Sequence, residues 1–223
     1  MSNPRREFLG LIGAGALVTA APRIVVGAEP AFRAPARPSH RTAWDLSWTD
    51  RLRGRHRAVF DAPDLSEGDP ILRAMVWGSQ YRDVFGTDLR DTSRVLVLRH
   101  LGIHFAMNDA YWARFAIGAE TGFADAAGRP LTVNPVRAAR ADVPAPFRDL
   151  TLEEFQRSGG IVLSCHLALM HYVVPRYAAT GLDEAAALEA ATRDLLPGIV
   201  EQPSGIFAVS VAQEHGCQYV PVS

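Results

Sequence analysis

The sequence contains no lysine; every one of its 23 basic residues is arginine. Schiff-base chemistry on a lysine amine is therefore excluded. Cysteine is scarce, with two in 223 residues, and the two do not form a CxxC pair; no HExxH is present either. The familiar spacings of zinc ligands are thus missing. No GxGxxG follows the first predicted strand and there is no Walker loop, which removes the usual support for nucleotide binding. Neither sign of charge is in excess, since the formal net charge is −1. Nucleic acid and anionic membrane surfaces are not indicated as partners.

Long apolar runs are absent except near the start. There Arg5 and Arg6 precede an apolar, Gly- and Ala-rich segment from Phe8 to Ala21. That is a charged n-region followed by a weakly hydrophobic h-region. It resembles a twin-arginine export signal, with Arg5, Arg6, Phe8 and Leu9 in the expected places. The segment is too short and Gly-rich to span a hydrocarbon core of ~30 Å, so no stable membrane span is expected after cleavage. Small residues offer cleavage after Ala20, Ala21 or Ala28. Residues 1–28 are accordingly read as signal, and the folded protein as cargo of the twin-arginine translocase. The expected destination is periplasmic or secreted, where disulfides can form.

Composition then defines the domain. Hydrophobic residues make up 48% of the chain and charged ones 21%, as in a globular protein. Residues 29–55 read as a Pro/Arg-rich linker, and residues 56–223 as one domain. Within the domain, strands and helices alternate. Short apolar runs predict strands near residues 58, 97, 162, 200 and 219. Helical spacing is found over 72–85, 103–117, 149–158, 167–179, 183–195 and 206–215, with Pro175 expected to kink or end its helix. This pattern predicts a three-layer α/β fold: about five strands in a mainly parallel sheet, with helices on both faces.

Ligands of such sheets bind at the carboxyl ends of the strands. His100 ends the second predicted strand, Cys165 the third, and Ser204 lies in the turn after the fourth. If these strands are neighbours, His100, His104, Cys165, His166 and Ser204 line one edge. Cys165 sits where the strand stops and a helix begins, a setting that favours the thiolate. It also has a bland reading, because free cysteine is among the most buried residue types. His166 is either a partner of the thiol or the first solvated residue of the helix. His100 and His104 are four apart, but His100 ends a strand, so they lack helical ligand spacing; no metal site is assigned and any cofactor is unknown. Cys165 ends one parallel strand while Cys217 begins another, which separates them by ~15 Å or more at ~3.3 Å per residue. A disulfide needs Cα atoms within ~7 Å. Two free thiols are expected, with Cys217 the structural one.

Several segments together resemble the DsrE/DsrF-like (YchN-like) superfamily. They are VLVLRHLGIHFAMND from Val95, IVLSCHLAL from Ile161, LLPGIV from Leu195, PSG from Pro203 and VAQEHGCQYV from Val211. The resemblance covers roughly residues 56–222. It implies a small α/β sandwich forming homo-oligomers, as trimers or hexamers. Some members relay sulfur as a cysteine persulfide, and Cys165 matches their active-site cysteine. Unlike the sulfur carriers, this chain bears an export segment and an N-terminal extension. The expected function is thiol or sulfur handling of the persulfide-carrier type through Cys165, tuned by His166 and His100. The alternative is a non-catalytic metal or small-ligand binding module, or an oligomeric scaffold.

Overall fold

A computed structural model describes residues 44–141, 143 and 147–222; Arg5, Arg6, Phe8 and Leu9, read above as resembling an export signal, lie outside this range. A 3₁₀ turn, Ser47–Arg51, leads into strand β1, His56–Ala62. Helix α1, Asp69–Phe85, is followed by β2, Thr92–Leu98, and by a 3₁₀ segment, His100–Ala106. Helices α2, Asp109–Arg114, α3, Ile117–Thr121, and α4, Leu152–Arg157, precede β3, Ile161–Cys165. Next comes one helical stretch in three parts: α5, His166–Ala168, a π-helical turn, Leu169–Val173, and α6, Val174–Ala178. Helix α7, Glu184–Arg193, strand β4, Val200–Gln202, helix α8, Gly205–Glu214, and strand β5, Gln218–Pro221, complete the chain.

The five strands form one sheet, all parallel, in the order β4-β3-β2-β1-β5. The expected three-layer α/β fold is present. β2 and β3 are buried along their whole length, as continuous apolar runs covered on both faces should be. Alternate residues go to opposite layers. Phe60, Leu96, Leu98 and Val162 join the larger core with α1, α2, α4, α6 and α7. Val59, Val95, Val97, Ile161 and Leu163 pack against Ala208, Val211 and Ala212 of α8.

Strand order and chirality together locate a crevice. The connections β1→β2→β3→β4 step in one direction, and the right-handed crossover rule puts their helices on one face. The return from β4 to β5 passes back over the sheet, so α8 covers the other face. After β3 the chain leaves toward one face; after β4 it leaves toward the opposite one. These neighbouring strands therefore open a cleft between their carboxyl ends, the topological switch point.

Three local expectations change. The helix predicted over 103–117 is broken into a 3₁₀ segment, α2 and α3. Met107 forms a bridge with Leu195, and Asn108 caps a new helix by accepting the Tyr111 N–H at 2.9 Å. Ala116 then takes a left-handed conformation, φ 50°, between α2 and α3. Pro175 does not end its helix either. The preceding turn widens to π geometry, so the bonding pattern is already displaced where the proline lacks its N–H.

The third change concerns the linker. Residues 44–55 belong to the packed domain: Trp48 and Leu52 are buried, 1% and 5% exposed, in the α8-side core. The Gln202 side-chain amide donates to the Asp45 carbonyl at 2.7 Å, tying this segment to β4. Composition pointed to a linker because arginines dominate the segment, but one buried tryptophan outweighs them. Replacing Trp48 by Ala is expected to cost about 3 kcal/mol. Urea-unfolding midpoints will measure this; a loss near zero would mean that the segment does not support the core.

Candidate functional site

The sheet register aligns the strand ends. Ala62 pairs with Leu98, Leu98 with Ser164, and Ser164 with Glu201. One residue further on, Arg99 follows β2, while Cys165 at the end of β3 pairs with Gln202 of β4. The expected neighbours are thus adjacent, and Cys165 and His166 lie at the β3–β4 cleft.

Cys165 is buried, 6% exposed, and is not in a disulfide; Cys217 is likewise buried and free. Cys165 caps the helical stretch that begins at His166. Its Sγ accepts the backbone N–H of Ala168 at 3.3 Å. An N–H aimed at sulfur stabilises negative charge there, which is the condition for a nucleophilic thiol. At Cys217 burial, only partly offset by the Arg57 charge, pushes the thiol up to about 11.

His166 is held by a residue the sequence reading did not select. Its Nδ1 is hydrogen-bonded to Oε1 of Glu201, a buried carboxylate in β4. The edge of Trp44 covers the imidazole, with ring centroids 5.3 Å apart. The imidazole is thereby fixed in orientation by a carboxylate, as in acid–base pairs. A charged residue inside the short strand IVEQ was a readable signal, because buried carboxylates need a partner.

Arg99, Asp61 and Tyr219 form a second polar group not anticipated from the sequence. The Arg99 guanidinium donates in bidentate fashion to Asp61, at 2.6 and 2.8 Å, and the Tyr219 hydroxyl adds a bond to Asp61 at 2.9 Å. The Asp61 hydrogen bond raises the Arg99 pKa. The bidentate pair fixes the guanidinium at the end of β2, the strand beside the one that ends at Cys165. Gly205 makes this arrangement possible: a Cβ there would meet Arg99 side-chain carbons at 2.6 Å. The start of α8 can approach Arg99 only as glycine.

The remaining candidates are dispersed. Ser204 accepts the Phe207 N–H at 3.0 Å and serves as the α8 N-cap. His100 follows β2 with φ 49°, a strained backbone for a non-glycine residue. Its half-exposed ring lies 3.8 Å from Asp64 and edge-on to Tyr172. His104 is entirely buried and does not reach the cleft surface; its Nδ1 is bonded to the Tyr111 hydroxyl at 3.0 Å. The grouping of His100, His104, Cys165 and His166 as ligands does not form. Among the described residues, no set of three or more His, Cys, Asp or Glu is placed to hold a metal ion.

The His104 imidazole has a defined effect on stability. Burial first, then the Arg176 charge, lowers its pKa to about 4. Unfolded, it titrates near ~6.5. Between these values the unfolded chain binds a proton that the native state refuses, so stability falls as pH drops. The contribution is complete above pH ~6.5 and decays toward pH 4, by on the order of 3 kcal/mol. His104→Phe is expected to flatten the slope of unfolding free energy over this window. An unchanged slope would show that His104 is not the titrating group.

No family model matches the chain, and no curated protein matches it. One solved structure to which it is similar is titled "Structure of Protein of Unknown Function MTH1491 from Methanobacterium thermoautotrophicum". The two share 16% identity over 74% of this chain and 98% of that one, with a TM-score of 0.38.

Proposed function

We propose that the protein is an exported sulfur carrier of the DsrE-like kind, acting through Cys165. The observation that carries this reading is the position of Cys165 at the switch-point cleft, with its sulfur accepting the Ala168 N–H. The Arg99–Asp61 pair lies at the same level of the sheet edge, and the His166–Glu201 pair supplies a positioned acid–base group. Thiosulfate illustrates the balanced step. The Cys165 thiolate attacks the sulfane sulfur, the S–S bond breaks, and sulfite leaves with the electron pair. Cys165 then carries a persulfide, with no external oxidant required. Attack by an acceptor thiolate on the outer sulfur returns Cys165 to its thiolate. His100 and Ser204 lie at the rim, where they contact a donor or acceptor rather than the sulfur.

The same reading includes export through the twin-arginine translocase, a periplasmic or secreted location, and assembly as a homo-oligomer. Its rival is a module that binds a small ligand, or a scaffold, without thiol chemistry. The burial of Cys165, 6% exposed, favours that rival. Alkylation separates the two. At neutral pH, iodoacetamide is expected to modify Cys165 at least about tenfold faster than Cys217, because Cys165 opens on the cleft with its sulfur bonded to the Ala168 N–H, while the Cys217 thiol is pushed up to about 11. After thiosulfate treatment, the Cys165 peptide is expected to gain the mass of one sulfur atom, removable by dithiothreitol. Arg99→Met is expected to slow both reactions. Equal alkylation of the two cysteines would rule out the carrier reading. Mass spectrometry of the exported protein is also expected to place its first residue after Ala20, Ala21 or Ala28.

A further inference from the structure

At the opposite, amino-terminal edge of the sheet, Arg94 of β2 is an uncompensated buried cation. It is 1% exposed. Its Nη2 donates to the carbonyl and hydroxyl oxygens of Ser158, at 2.7 and 3.0 Å. Its Nε is buried without an acceptor, and no described carboxylate forms an ion pair with it. The guanidinium lies 5.1 Å from the centre of the Phe155 ring. Burial pushes its pKa down only to about 10, so it stays charged at neutral pH. A buried charge with no counter-charge costs several kcal/mol. A sheet position that needed only bulk and apolar surface would not carry one.

Arg94 also lines a cavity of about 560 Å³ between α1 and α4. The wall carries Arg82, Arg94 and Arg157 against Asp149 and Glu154. Arg157 is ion-paired with Glu154, and Arg82 with the neighbouring Asp83, whereas Arg94 has no such partner. With those two pairs set aside, Arg94 and Asp149 are the charges that remain on the wall, and Arg94 is the only one of its arginines that is buried. Met75, Leu89 and Leu150 supply apolar surface to the same space. A volume of this size, with an apolar patch beside convergent polar groups, can take a small molecule.

We propose that this cavity binds a small organic monocarboxylate, with its carboxylate on the Arg94 guanidinium and its carbon chain against Met75, Leu89 and Leu150. The Arg94 Nη2 is engaged by Ser158, and the unpartnered Nε–H is free to give a carboxylate oxygen a charge-assisted hydrogen bond. A single negative charge matches the one buried guanidinium that has no ion-pair partner. A phosphate or sulfate dianion overshoots it and meets Asp149 and Glu154, and it leaves the apolar surface unused. The site is separate from Cys165, so it stands whether or not the carrier reading does.

The test is calorimetric titration of the full chain with butyrate and, separately, with inorganic phosphate, at constant ionic strength. Butyrate is expected to bind saturably at one site per chain, and phosphate at least about tenfold more weakly. Arg94→Met is expected to weaken butyrate at least about tenfold, as loss of charge-assisted bonds does. Its urea midpoint without ligand is expected to equal or exceed that of the wild type, because an unpaired buried charge has been removed. Ser79→Phe, which fills the cavity from α1, is expected to abolish binding with Arg94 intact, and it decides the matter if Arg94→Met does not fold. Absence of saturable butyrate binding to the wild type, tighter binding of phosphate, or unchanged binding in Ser79→Phe would each overturn the proposal.

Discussion

The handedness of the crossovers governs where everything else can be. Four successive strands laid side by side commit their connecting helices to one face of the sheet. The fifth strand lies beyond β1, so the last helix must cross beneath. This reversal separates the chain leaving β3 from the chain leaving β4 and leaves a cleft between them. The sheet register then brings Arg99, Cys165 and Gln202 to the same level along that edge. No long loop is needed to collect these side chains, because the backbone hydrogen bonds of the sheet already do so.

The polar groups of the sheet divide by how they are compensated. Asp61 is buried but receives two bonds from Arg99 and one from Tyr219. Glu201 is buried against His166. These pairs hold one another in place and stiffen the carboxyl edge, where a reactive sulfur benefits from fixed dipoles and charges. Arg94 has only the oxygens of Ser158 and the face of Phe155. The two ends of the sheet thus differ in kind: at one end each buried carboxylate has a basic partner, at the other a buried cation has no counter-charge.

Much of the fold was legible in the sequence. VLVL and IVLS announced central strands, since a β-branched run without polar alternation fits only a strand covered on both sides. The order of elements gave the α/β class, and Cys165 and His166 lie at the carboxyl edge where the strand pattern put them. Less legible was the stretch from His100 to Thr121. Its apolar spacing is helical, but the Asn108 cap and the bridge from Met107 to Leu195 override it through tertiary contact. The charged members of the site were harder still. Arg99, Asp61 and Glu201 have no motif spacing; they become partners only when parallel pairing sets distant segments side by side. Their one local trace was a charge at the end of, or within, an otherwise apolar strand. Trp48 was overlooked because composition averages over a segment, whereas burial is decided residue by residue.

The π-helical turn over Leu169–Val173 carries a consequence of its own. One extra residue per turn rotates the following helix about its axis relative to the preceding one, so the stretch from His166 to Ala178 consists of two helices out of phase. Both halves bury residues in the same core: Ala168 and Leu169 before or within the turn, Val174 and Tyr177 after it. A regular α-helix through the same residues would point one of these sets away from the core. Removing a single residue from the turn would therefore let a regular α-helix run through with both buried faces kept, whereas regular geometry without the deletion would turn α6 by ~100°. In this stretch, chain length itself encodes which face is inside.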